Sequence, residues 1–503
     1  MKAKLKKILK KKALLNVVSS LLLQLATIIS GFIVQRIVLE YFGSDANGLV
    51  SSLTQFLSYV SLIEGGLSSV IMTSLYKPLH DKNDEKISAI MKTSTNFFRK
   101  ISAIHIVYSV ALAIIYPLLS NTGFSFAYVA SLTMILSFMM LLQYMFSVPY
   151  QTLLKADRAT YVVSLTQVII TVLNVISAVA IVNIFPNMHV FKIVASALYI
   201  IQPIVYSWYI RKHYNINRKT KIDNNLIKNR WNGFGINVAA FIHNNTDVAI
   251  LTIFTDLRVV SVYAVYALVT TGLKRFIQAI ASAMAPSIGR IYASGDSDLL
   301  DKKFGIFEYM IFILVFYIFT LAALLITPFV MIYTNGINDA DYYQPLFGVL
   351  IVLSEALYLI KFAHLHLSYV ADRYRDITKP AILEAVLNIV LSLVLVQWLG
   401  MNGVMIGTIV AMAYRMVFHV WYTKKIIPLR VQWKFYARLL GFCIATLMAV
   451  MICVVLVPPI EYNIWNWLWH AVIYAVVLLV GYGLFSIICC RDEVKGLSKY
   501  MKN

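Results

Sequence analysis

The feature that most constrains this chain is a recurrence: stretches of roughly 20 residues with few charges return along nearly its whole length, which is the length a helix needs to cross a hydrocarbon layer about 30 Å thick. Six such runs lie between Leu14 and Ile210, six between Asn232 and Tyr422, and two between Phe435 and Cys490. The runs are continuous and lack the period-2 alternation of a membrane barrel strand. They predict an all-α integral membrane protein of about fourteen transmembrane helices. Composition agrees, because a chain that is 60% hydrophobic and only 13% charged departs far from the soluble average of about 45–50% apolar and about 25% charged residues. The Lys-rich start resembles a signal sequence, but the apolar run behind it is too long, so it is expected to remain as the first helix.

A formal charge of +21 invites a nucleic-acid partner until the charges are placed. Fourteen crossings sort the connecting segments into two alternating sets. The set containing the N-terminus holds 35 Lys and Arg residues, and the opposite set holds only Arg258. The positive-inside rule then puts both termini in the cytoplasm, and no nucleic acid is needed to account for the charge. The cysteines Cys443, Cys453, Cys489 and Cys490 show neither zinc-ligand spacing nor a disulfide framework, and no metal or cofactor is expected. The outward connections are short, so no external catalytic domain is expected and the chain reads as a transporter, not an enzyme. The basic segment from Arg211 to Trp231 reads as a cytoplasmic linker.

The two six-helix sets echo each other at an offset of about 214 residues: Val172-Leu173-Asn174-Val175 returns as Val386-Leu387-Asn388-Ile389, and Ala156-Asp157-Arg158 as Ala371-Asp372-Arg373. An even number of helices per copy gives two parallel lobes related by an axis along the membrane normal. The expected division is a lobe over 1–211, a linker over 212–231, a second lobe over 232–425, and two further helices with a tail over 426–503.

Two parallel six-helix lobes plus two helices, together with the seventh-helix sequence His243-Asn244-Asn245-Thr246-Asp247-Val248-Ala249-Ile250-Leu251, resemble the multidrug/oligosaccharidyl-lipid/polysaccharide exporter superfamily. Within it, the chain is most similar to Wzx-type polysaccharide flippases. The resemblance implies a multi-pass protein of the bacterial cytoplasmic (inner) membrane that carries a polyprenyl-(pyro)phosphate-linked oligosaccharide to the outer leaflet for cell-surface polysaccharide biosynthesis. It also implies a V-shaped cavity lined by the first, second, seventh and eighth helices. Membrane lipids and other polysaccharide-assembly proteins are the candidate partners, and H+ or Na+ the candidate coupling ion.

Such a head group needs a polar, cationic path, because a bare phosphate in hydrocarbon is prohibitively expensive. Polar residues recur at helical spacing on the expected cavity helices: Gln24, Thr27 and Gln35 beside Arg36 on the first, Glu64 on the second, Asn244 and Asp247 on the seventh, and Lys274, Arg275 and Gln278 on the eighth. Helical spacing puts Gln24, Thr27 and Gln35, then Asn244 and Asp247, then Arg275 and Gln278, each on one face, with Lys274 pointing about 100° away from Arg275. Such faces line a cavity, the favoured reading, or bind helix to helix through hydrogen bonds. Arg275 is the candidate phosphate contact or, alternatively, the partner of Glu64 or Asp247 in a permanent ion pair. Lys361 is a candidate for substrate contact or for an interlobe network with His364 and Glu355. The carboxylates Glu64, Asp247, Glu355, Glu308 and Glu384 are candidate proton or sodium sites, and Arg415 is expected to be structural. A cation-coupled multidrug antiporter of the same superfamily would favour carboxylates over these cations. A membrane-embedded glycan polymerase or ligase would need the external loop that the chain lacks.

Overall fold

The computed structural model describes residues 2–64, 66–119, 123–217, 220–222 and 234–502. Most of the expected linker falls outside the described residues. Among the described residues nine helices precede the linker: α1 (Lys2–Ser58), α2 (Ser61–Glu64), α3 (Leu67–His80), α4 (Asp84–Leu119), α5 (Phe126–Leu142), α6 (Val148–Ala156), α7 (Thr160–Ile184), α8 (Met188–Ala197) and α9 (Ile201–His213). After it come α10 (Phe234–Phe254), α11 (Leu257–Ser294), α12 (Ser297–Tyr333), α13 (Pro345–Ile360), α14 (Phe362–Val370), α15 (Tyr374–Ile426), α16 (Gln432–Leu456), α17 (Ile464–Cys489) and α18 (Arg491–Lys502).

Eleven helices among the described residues are long and apolar enough to cross a membrane. Two of these spans are too long for one passage: Leu14–Glu64 has 51 residues and Tyr374–Ile426 has 53, nearly 80 Å each at about 1.5 Å per residue. Each is broken by a glycine in a conformation closed to other residues, Gly43 at φ 82, ψ 173 and Gly400 at φ 53, ψ −134. Each therefore holds two crossings, and with α10 the architecture agrees with about fourteen. Outward-facing apolar side chains such as Leu447, Val455 and Ile488, which are 66%, 73% and 76% exposed, are what a chain dissolved in lipid presents.

The chain forms two compact units. One comprises Met1–Val238 with Asp256–Ser261, and the other Ala239–Thr255 with Val262–Asn503. The first has two apolar cores, one around Leu75, Phe98, Leu153 and Tyr206 and one around Leu49, Val129, Ala178 and Phe191. Between α5 and α6 the helix widens into a π-turn over Gln143–Ser147, just ahead of Pro149, whose missing N–H and ring disturb the regular bond pattern. In the second unit α16 and α17 pack on α12 through Phe312, Phe316 and Phe442 and through Leu325, Cys453 and Tyr474.

The repeat is visible in a turn. After α6 the N–H groups of Asp157, Arg158 and Ala159 donate to the carbonyls of Leu153, Lys155 and Leu154, with Arg158 left-handed at φ 58. After α14 the N–H groups of Ala371, Asp372 and Arg373 donate to those of Leu367, Tyr369 and Ser368, with Asp372 at φ 54. These are the crossed bonds of a Schellman cap, and every donor and acceptor corresponds at an offset of 214. The Asn174/Asn388 match is in this register. The Ala-Asp-Arg match is one residue out of it: the cap fixes where the left-handed residue falls, not which letter occupies the place.

Candidate functional site

The second unit carries a chain of buried charges built from residues three, four, seven or eleven apart. Asn244 and Asp247 share a face of α10. Tyr263 and Lys274 share one of α11, and Glu355 and Tyr358 one of α13 with Lys361 closing its end. Glu384 and Asn388 lie in the first half of α15, and Thr408, Arg415 and His419 in the second. Because 3.6 residues complete a turn, each helix delivers its polar atoms in one direction.

At one end Lys274 Nζ lies 2.7 Å from Glu355 Oε1 and 3.1 Å from Asn244 Oδ1. Asn244 in turn donates its Nδ2 to the Ala240 carbonyl at 2.6 Å. The Lys274 and Lys361 ammonium groups stand 5.3 and 4.7 Å from the centre of the Tyr358 ring, so one electron-rich ring serves both cations. Beyond it, Glu384 Oε2 is 3.7 Å from Lys361 Nζ and 3.1 Å from an Arg415 guanidinium nitrogen. Arg415 Nε donates to His419 Nε2 at 2.9 Å, which requires that nitrogen to be unprotonated and the imidazole neutral. Three cations thus stand among three carboxylates, counting Asp247, in a region where an unpaired charge is costly.

Asp247 is buried and accepts from the Tyr263 hydroxyl at 3.2 Å and the Thr408 hydroxyl at 3.4 Å. Thr408 also accepts from Asn388 Nδ2 at 2.8 Å. Asp247 forms no ion pair among the described residues, so it is not the partner that the sequence suggests for Arg275. Arg275 is exposed and Gln278 half-buried, and Arg275 has no ion pair within its unit among the described residues. Of the two neighbours Lys274 and Arg275, it is Lys274 that has an ion-pair partner among the described residues. Lys361, a candidate for an interlobe network, is paired inside its own unit. The reason is positional: its place at the end of α13 directs it at Glu384 on α15, with Met412 Sδ at 3.3 Å.

A second cluster joins Glu308, a proton or sodium candidate from the sequence, and His364 to arginines legible there only as loop charge. Glu308, fully buried on α12, receives Arg438 at 2.6 Å, Arg430, and His364 at 3.0 Å. Arg430 also reaches Asp301 at 3.1 Å, and Arg438 reaches Glu493 on α18. Burial alone would lower the pKa of Arg430, but Glu308 and Asp301 outweigh it and raise it above the ordinary value. This cluster fastens α12, α14, α16 and α18 together.

In the first unit, Arg36 has a partner four residues on in its own helix, Glu40 at 3.3 Å. Thr27 Oγ1 donates to the Leu23 carbonyl at 2.8 Å, the Gln24 side-chain nitrogen is buried with no hydrogen-bond partner among the described residues, and Gln35 is half-buried. Glu64 accepts from Ser68. Tyr263, Tyr358 and Thr408 are site residues that the sequence reading does not single out. A signal exists for Tyr358, three residues from both Glu355 and Lys361, and for Thr408 only through the folded contact with Asn388.

No family model matches the sequence, and no curated protein matches it. Solved structures do. The lipid II flippase MurJ in an inward closed conformation is similar with a TM-score of 0.70 at 15% identity, over 96% of this chain and 100% of that one. An inward-facing multidrug-resistance MATE family transporter of the MOP superfamily is similar at 0.61 and 12% identity, over 81% and 96%. The MATE multidrug transporter DinF-BH is similar at 0.60 and 14%, over 83% and 97%. At these identities the likeness establishes the fold alone, which this chain shares with that flippase and those transporters.

Proposed function

We propose that this chain is a transporter of the bacterial cytoplasmic membrane that moves a polyprenyl-(pyro)phosphate-linked oligosaccharide to the outer leaflet by alternating access, for cell-surface polysaccharide assembly. The observation that carries the reading is the contrast between two neighbours on α11: Lys274 is buried and paired, whereas Arg275 is exposed near the middle of a 38-residue helix. A guanidinium at that depth is tolerable facing water or an anion and costly facing lipid. Thr271, Arg275, Gln278 and Ser282 recur at steps of four, three and four along the same side, and they form the polar path for the head group. Asp247, held by two hydroxyls, is the candidate H+ or Na+ site. MurJ, a flippase by name, has the fold in common.

The test is binding. Purified protein in detergent should retain a polyprenyl-pyrophosphate oligosaccharide by native mass spectrometry, Arg275→Ala should lose it, and a cationic dye should compete poorly. Tight dye binding displaced by protons, with no retention of the glycolipid, would instead establish a multidrug antiporter.

A further inference from the structure

The first unit contains a cavity that the transport reading does not use. It is an open hollow of about 650 Å³ between α4, the α5–α6 junction and the chain after α9, and its walls include Lys92, Arg99 and Arg211 with Asn96, Tyr150 and Asn217. Among the described residues its lining holds three cations and no carboxylate. The wall after α9 is fixed by two bonds: the Tyr214 hydroxyl donates to Asp157 Oδ2 at 2.7 Å, and the Asn217 N–H donates to Ser88 Oγ at 2.9 Å.

One stripe of α4 continues from this hollow into a second feature. Lys92, Asn96, Arg99, Ala103 and Val107 follow one another at steps of four, three, four and four, so they lie on one face. Ala103, Ile104, Val107 and Tyr108 line a shallow groove, where Val107 is 71% exposed and Ile104 45%. The depth fits. A hydrocarbon layer about 30 Å thick takes about 20 helical residues, so the C-terminal part of this 36-residue helix fills it. Lys92 and Arg99 are then left at head-group level and Val107 among the acyl chains.

We propose that this stripe is a binding site for an anionic glycerophospholipid of the leaflet at the Asp84 end of α4. Lys92, Arg99 and Arg211 take the phosphate, and one acyl chain lies along Ala103 to Val107. Charge complementarity selects the head group, and the apolar groove that continues the charged one selects a lipid over a soluble anion. The site is built from residues of the first unit alone, uses none of the buried charges of the second, and does not depend on which substrate is carried.

The experiment compares phosphatidylglycerol and phosphatidylcholine with identical chains, bound to the full-length protein in detergent and counted by native mass spectrometry. The wild type should retain phosphatidylglycerol on the order of tenfold or more over phosphatidylcholine. A Lys92→Gln, Arg99→Gln, Arg211→Gln triple variant should lose that preference with unchanged thermal unfolding, since all three side chains are exposed. Val107→Ser, as a second variant, should weaken retention of phosphatidylglycerol while leaving inorganic phosphate binding unchanged. Equal retention of the two lipids, or an unaltered preference in the triple variant, would overturn the site. Displacement of phosphatidylglycerol by millimolar inorganic phosphate would assign the hollow to a soluble anion, and displacement by an equimolar polyprenyl phosphate would assign it to the transported lipid. Either result would overturn the phospholipid proposal.

Discussion

Lys274 and Glu355 meet at 2.7 Å with 10% and 14% of their side chains exposed, and the second Glu355 oxygen is buried without a hydrogen-bond partner among the described residues. Removing one member of such a pair leaves an uncompensated buried charge, a loss of about 3–5 kcal/mol. Lys274→Met should therefore lower the unfolding temperature markedly in detergent, and Lys274→Met with Glu355→Gln should recover most of the loss. A double variant no more stable than the single one would show that the pair is not coupled.

The glycine that splits α15 is predicted to be irreplaceable. Gly400→Ala places a side chain at φ 53, ψ −134, a region that costs about 1–3 kcal/mol outside glycine. Gly483→Ala, where an added methyl meets nothing within 4 Å, should be neutral or slightly stabilising. Thermal unfolding of the two variants side by side tests the ordering, and equal stability would remove the argument that the backbone breaks here.

Glu308 should be the least replaceable carboxylate of the second unit. Glu308→Gln leaves Arg430 and Arg438 facing each other with only Asp301 and Glu493 at the rim, so the unfolding temperature should fall by more than for Glu493→Gln. The milder variant should free α18 selectively. Limited proteolysis should clip Glu493→Gln at its C-terminus while the wild type resists, and identical clipping of both would show that Glu493 does not hold this helix.

Topology is testable without transport. In a variant with the four cysteines replaced by serine, a single cysteine at Asn217 should resist an impermeant reagent added to intact cells, and one at Asp339, between α12 and α13, should react. Reaction at Asn217 from outside would invert the topology and with it the leaflet assigned to the lipid site.

Much of the fold is legible in the sequence because hydrophobic length is a strong signal: the apolar runs reappear as helices, and the two long ones break where glycine permits. The site is only partly legible. Periodicity groups Asn244 with Asp247 on one helix face, and nearness in sequence groups Lys361 with Glu355 and His364. Neither can say that Lys274, one residue from Arg275, turns inward to Glu355 while Arg275 stays exposed, because that choice depends on which neighbouring helix lies on each side. Arg430 and Arg438 read as loop charge for the same reason: their partner Glu308 is more than a hundred residues away.

Translocation itself is the most direct test of the account. In proteoliposomes holding a fluorescent polyprenyl-pyrophosphate oligosaccharide, an external quencher reports how much of it changes leaflet with time. The account predicts protein-dependent movement that Arg275→Lys retains in part, since the charge remains while the planar fork is lost, and that Arg275→Ala reduces to the protein-free rate at normal reconstitution. Movement at the wild-type rate by Arg275→Ala, or no movement by the wild type above empty liposomes, would contradict it.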